Sequence, residues 1–100
     1  MVAIIWTERA LVDLEDIAEY ISKDSVRYAK VTIDNLVNET KRIHTNPFIG
    51  RMIPEIKQES FRELIKGNYR IMYKIEGDNI YILTVHHSAR EIKRRTILPL

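Results

Sequence analysis

Two glycine-led turns, Gly67-Asn68 and Gly77-Asp78, interrupt apolar runs at such short intervals that they leave the second half of the chain few ways to fold. A two-residue connection joins strands only as an antiparallel hairpin, and glycine supplies the positive φ that so tight a turn requires. The runs Phe61 to Lys66, Tyr69 to Ile75 and Ile80 to His87, rich in Ile, Tyr and Phe, therefore predict three consecutive antiparallel strands. If both turns contain two residues, Ile65 faces Arg70 and Glu63 faces Met72, while Arg70 faces Val85 and Met72 faces Leu83. Alternation then divides the side chains between two faces. Leu64, Tyr69, Ile71, Tyr73, Ile75, Ile80, Ile82 and Thr84 form one face, expected to pack on helices. Phe61, Glu63, Ile65, Arg70, Met72, Lys74, Tyr81, Leu83, Val85 and His87 form the other, expected to be an open binding face. A turn one residue longer would flip a strand and break this grouping.

The first half reads as helical. Thr7 is placed to cap a helix with Glu8 in its first turn, and Ala10, Leu11, Leu14, Ile17, Ala18 and Ile21 follow at 3.6-residue spacing. After a break at Ser22 to Ser25, a second stripe runs through Val26, Ala29, Ile33, Leu36, Val37, Thr40 and Ile43. So short a connection predicts an antiparallel helical hairpin. The acidic residues on the outer faces, Asp13, Glu15, Asp16, Glu19, Asp34 and Glu39, are expected to be solvated surface. Val2 to Trp6 supplies a fourth strand. The expected fold is α+β: an N-terminal strand and a helical hairpin packed on a mainly antiparallel four-stranded sheet, with a short C-terminal helix. From Asn46-Pro47 to about Ser60 the residues have no steady period, and prolines and a glycine break any regular element. This stretch is either a functional loop or a connector burying Phe48, Ile49 and Ile53.

At 100 residues the chain has the length of one domain, residues 1–100, and its composition supports one modest core. It has no cysteine, so disulfides, thiolate catalysis and cysteine-type zinc sites are ruled out. The apolar start meets Thr7 and Glu8 after five residues, too soon for a signal segment or a membrane span. A cytoplasmic protein without a membrane partner is expected. Residues 1–50 hold six Lys/Arg against eight Asp/Glu, and residues 51–100 hold ten against six. The basic half suits phosphate or an acidic protein surface, or is a solvated mixed-charge surface.

The last strand turns polar at His86 and His87. Ser88 with Glu91 three residues on reads as a capping box, which puts Arg90 in the first turn of a C-terminal helix that also carries Lys93, Arg94 and Arg95. Arg70 is either a fixed guanidinium at this basic rim or the ion-pair partner of Glu63. The histidines are either packed strand-end residues or, for His87, a proton-exchanging group. No spacing matches a metal motif or a phosphate loop, so no metal and no cofactor are expected.

The run "FRELIKGNYRIMYKIEGDNIYILTVHHSAREI", preceded by "ALVDLEDIAEYI" and "NPFIGR" in the same order, resembles the RelE/ParE toxins of bacterial type II toxin-antitoxin modules over nearly the whole chain. The ending "VHHSAREI" is more similar to ParE-like members. The resemblance implies a compact toxin neutralised by a cognate antitoxin, a small DNA-binding protein with a segment that folds on the toxin. It implies inhibition of DNA gyrase for a ParE-like member, cleavage of mRNA on the ribosome for a RelE-like one, or a toxin-fold protein that only binds its antitoxin. A nuclease would draw on Arg70, His87 and Arg90. Target or antitoxin binding would draw on Phe61, Glu63, Arg70, Met72, Arg90 and Arg94. Positions 61 to 66, where RelE-like enzymes tend to place lysines, read Phe61, Arg62, Glu63, Leu64, Ile65 and Lys66, and no tyrosine follows Arg90. Both departures favour the ParE-like reading.

Overall fold

The computed structural model describes residues 2–88 and 97. Seven elements follow in chain order: β1 (Ala3–Trp6), α1 (Glu8–Ser22), α2 (Val26–Thr45), β2 (Arg51–Met52), β3 (Phe61–Lys66), β4 (Tyr69–Glu76) and β5 (Asn79–His87). The expected C-terminal helix, with Arg90 and Arg94, lies outside the described residues.

Helix α1 starts at the expected cap, Thr7, and α2 starts at a cap not singled out in the sequence, Ser25 at the end of the expected break. The Thr7 hydroxyl oxygen accepts from the Ala10 amide at 3.2 Å, and the Ser25 oxygen accepts from the Tyr28 amide at 3.0 Å, each relieving one of the amides a helix start leaves without an intrahelical partner. Thr7 also donates to the Ile82 carbonyl at 2.7 Å, so one side chain both starts α1 and ties it to β5. The hairpin buries Ala10 and Leu14 from α1 and Ala29, Leu36, Thr40 and Ile43 from α2. Of these, Ala10, Leu14, Leu36 and Ile43 meet Leu64, Ile71, Tyr73, Ile80, Ile82 and Val85 of the sheet in the larger core cluster. Truncating a fully buried member such as Leu36 to Ala costs about 2–5 kcal/mol.

The sheet has five strands in the order β1-β5-β4-β3-β2, all antiparallel neighbours except β1, which runs parallel to β5. The expected four strands are present. The fifth, β2, is a two-residue edge strand inside the supposed loop, pairing Arg51 with Glu63 and Met52 with Arg62. Gly50 explains why the chain comes so close to β3 at this point. A Cβ on Gly50 would stand 2.5 Å from the Glu63 carbonyl oxygen and 2.8 Å from the Tyr73 hydroxyl. That hydroxyl accepts from the Gly50 amide at 3.0 Å and donates to the Pro47 carbonyl at 2.6 Å, pinning the "NPFIG" turn to β4.

The first hairpin has the expected register, with Ile65 opposite Arg70 and Glu63 opposite Met72. The second begins as expected at its turn, with Ile75 opposite Ile80, and then slips by one residue between Met72 and Tyr73. Beyond that bulge Met72 faces Thr84 and Arg70 faces His86, instead of Leu83 and Val85. An extra residue in one strand exchanges the faces of everything after it. Val85 accordingly packs in the helix-side core. The His87 ring meets that of Tyr69 edge-on, with centroids 5.4 Å apart, so His87 does not join Arg70 and Glu63.

The second face of the sheet is not open. Ile53 and Ile56, from the segment between β2 and β3, cover it together with Ile97, closing a second cluster around Phe61, Met72 and Leu83. The 46–60 stretch is thus a wrapped connector, although Phe48 stays 54% exposed, with the Arg62 guanidinium carbon 5.0 Å from its ring centre.

Candidate binding site

Four charged side chains run in a line beneath the connector. Arg70 donates from Nε to Glu63 Oε1 at 2.7 Å and from its two terminal nitrogens to Glu55 Oε2 and Oε1 at 2.9 and 2.7 Å. Glu63 Oε2 accepts from Arg51 Nε at 2.6 Å. Glu63 is 1% exposed and Arg70 9%, so each ion sits where leaving it without a partner would be costly. The planar guanidinium fork matches a carboxylate two bonds at a time, and here it meets two carboxylates at once. The bonds to Glu55 and Glu63 push the Arg70 pKa upward, and Arg70 in turn holds the Glu55 carboxyl below the usual carboxylate range. Of the two readings of Arg70, the ion pair with Glu63 is present. Glu55 and Arg51, which complete the line, were not singled out in the sequence because they sit in a stretch without period. Proline at 54 and the apolar Ile53 and Ile56 around Glu55 were the available signal that this stretch is folded down onto the sheet.

Phe61 and Met72 are buried in the second cluster, with Glu63 and Arg70 sealed beside them. Arg70, Glu63 and Met72 are brought together, whereas His87 lies on the other side of the sheet. Arg90 and Arg94 fall outside the described residues. Within the network the Arg70 guanidinium is committed to carboxylates at all three of its nitrogens.

Two clefts open on the helix side. A cleft of about 780 Å³ opens between α1 and the ends of β4 and β5, lined by Asp13, Asp16, Ile17, Tyr20, Ile21, Tyr69, Val85, His86 and His87. Tyr69 separates it from a smaller one of about 300 Å³, bounded by Tyr28, Thr32, Asn35 and Lys66 among others. Burial pushes the Tyr69 phenol pKa upward, with smaller contributions from Tyr28 and Tyr20. Of the residues lining these clefts, Tyr20 is 74% exposed and Tyr28 62%. From Ala10 to Ser22, α1 carries Asp13, Glu15, Asp16 and Glu19 and no lysine or arginine. Asp13 is not merely solvated surface: its Oδ2 accepts from the Thr84 hydroxyl at 2.5 Å and from the Val85 amide at 3.0 Å. Sequence reasoning assigned Tyr20 and Tyr28 no role, since isolated surface tyrosines carry no periodic signal.

Among the described residues no group of three or more His, Cys, Asp or Glu side chains is placed to hold a metal ion, and no helix is long and apolar enough to cross a membrane.

The family model for the ParE toxin of the type II toxin-antitoxin system parDE matches residues 4–92. The chain belongs to the ParE toxin family. No curated protein matches it significantly. Among solved structures, the chromosomal ParDE toxin-antitoxin system of Pseudomonas aeruginosa is similar with a TM-score of 0.74 at 21% identity, over 87% of this chain and 96% of that one. The RelBE2 toxin-antitoxin complex of Mycobacterium tuberculosis gives 0.54 at 19% identity, over 86% and 96%. A conserved hypothetical protein of Helicobacter pylori gives 0.56 at 20% identity, over 90% and 98%. At these identities the neighbours speak to the fold: two helices on a mostly antiparallel sheet, shared by ParE and RelE toxins.

Proposed function

We propose that this type II toxin acts by binding, with DNA gyrase as its target, and that a cognate antitoxin silences it by laying a basic amphipathic segment into the tyrosine cleft. The observation that carries the binding mode is the commitment of Arg70. Cleavage of RNA through its 2′-hydroxyl needs a cation for the phosphate charge and a group to move the proton. Arg70 would have to leave Glu55 and Glu63 to supply the first, and His87, which could supply the second, stands across the sheet from it. An inhibitor that works by docking needs neither group. Arg90 and Arg94, at the end of the basic half of the chain, are proposed contacts to the target.

The antitoxin's seat follows from surface chemistry. Three tyrosines with Ile17 and Ile21 offer amphipathic contact area, and an all-acidic stretch of α1 borders them. The complementary ligand is a helix with apolar residues at i, i+3 and i+4 and lysine or arginine beside them.

Purified toxin is assayed for inhibition of plasmid supercoiling by gyrase and, in parallel, for cutting of a defined mRNA on purified ribosomes, with and without the product of the neighbouring antitoxin gene. Lost supercoiling, intact mRNA and relief by the antitoxin are expected. Codon-spaced cuts that vanish in His87→Gln would replace this reading with a ribosome-dependent nuclease. Inactivity in both assays, with the antitoxin still bound, would leave a toxin-fold protein whose only partner is its antitoxin.

A further inference from the structure

Strand β5 departs from the regular hairpin at one point, and the departure is anchored from outside the sheet. Between its turn and Met72 the strand pairs as an uninterrupted two-residue hairpin would, and Leu83 is then the residue passed over. Just beyond it, the Val85 amide donates to the Asp13 carboxylate on α1 at 3.0 Å, and the same oxygen takes the hydroxyl of the fully buried Thr84. Leu83 is the residue left outside the ladder, whereas Val85 rejoins it opposite Ile71 and its amide takes an acceptor from outside the sheet. Asp13 provides that acceptor. The regular pairing would put Val85 opposite Arg70 and His86 opposite Tyr69, and would also carry Val85 off the helix-side face it packs on.

We infer that Asp13 is a positioning residue for the tyrosine cleft: by holding the bulge it selects the register in which His87, rather than His86, faces Tyr69 and Val85 packs beneath the cleft floor. The register claim stands on the hydrogen bonds alone. Its consequence for recognition rests on the reading of the cleft as the antitoxin's seat.

The absence of cysteine from the chain gives a clean test. The pair Tyr69→Cys/His87→Cys reports the bulged register and Tyr69→Cys/His86→Cys the regular one, because only side chains on one face can close a disulfide. Lys74→Cys/Tyr81→Cys, opposite each other on the turn side of the bulge, serves as control in both registers. With Asp13 intact, the 69–87 pair should oxidise at least tenfold more completely than 69–86. Asp13→Ala should reverse that preference, and Asp13→Asn, whose carbonyl oxygen still accepts, should keep it. Thr84→Val, which removes one donor and keeps the shape, should narrow the preference several-fold and covers the case in which Asp13→Ala does not fold. Faster exchange of the Val85 amide, by tenfold or more in Asp13→Ala or Thr84→Val, is the accompanying sign. An unchanged thiol preference in every variant overturns the assignment.

In the cysteine-free background, the antitoxin should bind Asp13→Ala at least tenfold more weakly than Asp13→Asn. Equal binding despite a reversed register overturns the link to the cleft. No binding even to the unmodified toxin removes the proposed seat and leaves the register claim to be judged by the thiols.

Discussion

The two faces of the sheet handle polarity in opposite ways. On the connector side, charges are drawn inward: Glu63 and Arg70 are buried, paired on both sides by Arg51 and Glu55, and roofed by Ile53 and Ile56. On the helix side, aromatic residues are left outside: Tyr20 and Tyr28 stand exposed beside an acidic helix. Charge in the sequence therefore points to a face that the fold closes. The guanidinium that looks available from strand alternation is consumed within the fold, and the exposed aromatic surface is built from residues with no motif of their own.

This contrast makes substitutions on the two faces separable. Glu63→Ala should have the largest effect, since it leaves Arg70 buried with half its partners and Arg51 with none from this network; a loss of about 3–5 kcal/mol in urea unfolding is expected. Antitoxin binding by the fraction that folds should be unchanged. If stability moved by less than about 1 kcal/mol, the network would be ornament rather than frame.

Glu55→Gln comes next, at about 1.5–3 kcal/mol, because it replaces charge-assisted bonds with neutral ones at a side chain still 28% exposed. It should also alter the response to acid. The Glu55 carboxyl is held below its ordinary value of 4.5, so its contribution is complete above that pH and is lost as pH falls from there through the depressed value. The unmodified protein should lose stability over that window more steeply than Glu55→Gln, as read from urea midpoints at successive pH values. Identical slopes would mean that another carboxylate controls the acid response.

Tyr20→Ala sharpens the comparison from the other side. At 74% exposure it should change stability by no more than about 0.5 kcal/mol, while weakening antitoxin binding by about 1–2 kcal/mol if the cleft is the seat. Titration calorimetry against the purified antitoxin separates the two. The smallest effect is expected at Lys57, which closes the connector with a φ of 58°. Relief of the left-handed strain in Lys57→Gly, set against glycine's greater unfolded freedom, should raise stability by less than about 1 kcal/mol in the same urea assay.

The elements legible in the sequence were those whose causes are local. Thr7 announces the first helix, the break at Ser22 to Ser25 separates it from the second, and Gly67-Asn68 fixes the register of β3 against β4, because cap and turn chemistry act within a few residues. The β5 bulge was illegible because its anchor, Asp13, lies 72 residues away from Val85 and looks like any other acidic residue on an outer helix face. The same holds for Glu55, whose partner Arg70 is 15 residues on and whose own segment has no period. The clearest lesson comes from Arg70. Strand alternation correctly put it on the face with Glu63, but only the connector, itself unpatterned, shows that this face is closed.

The parallel pairing of β1 with β5 also bears on when the toxin becomes complete. Ala3 to Trp6 align with Asn79 to Ile82, and Thr7 reaches Ile82 across 75 residues. The first strand to leave the ribosome thus waits for the last, and contacts so distant in sequence are slow to close. The hairpin of helices can form during synthesis, but the finished sheet cannot. An edge with nothing beside it is exposed throughout that interval, which leaves the nascent chain open to mispairing until the sheet is finished.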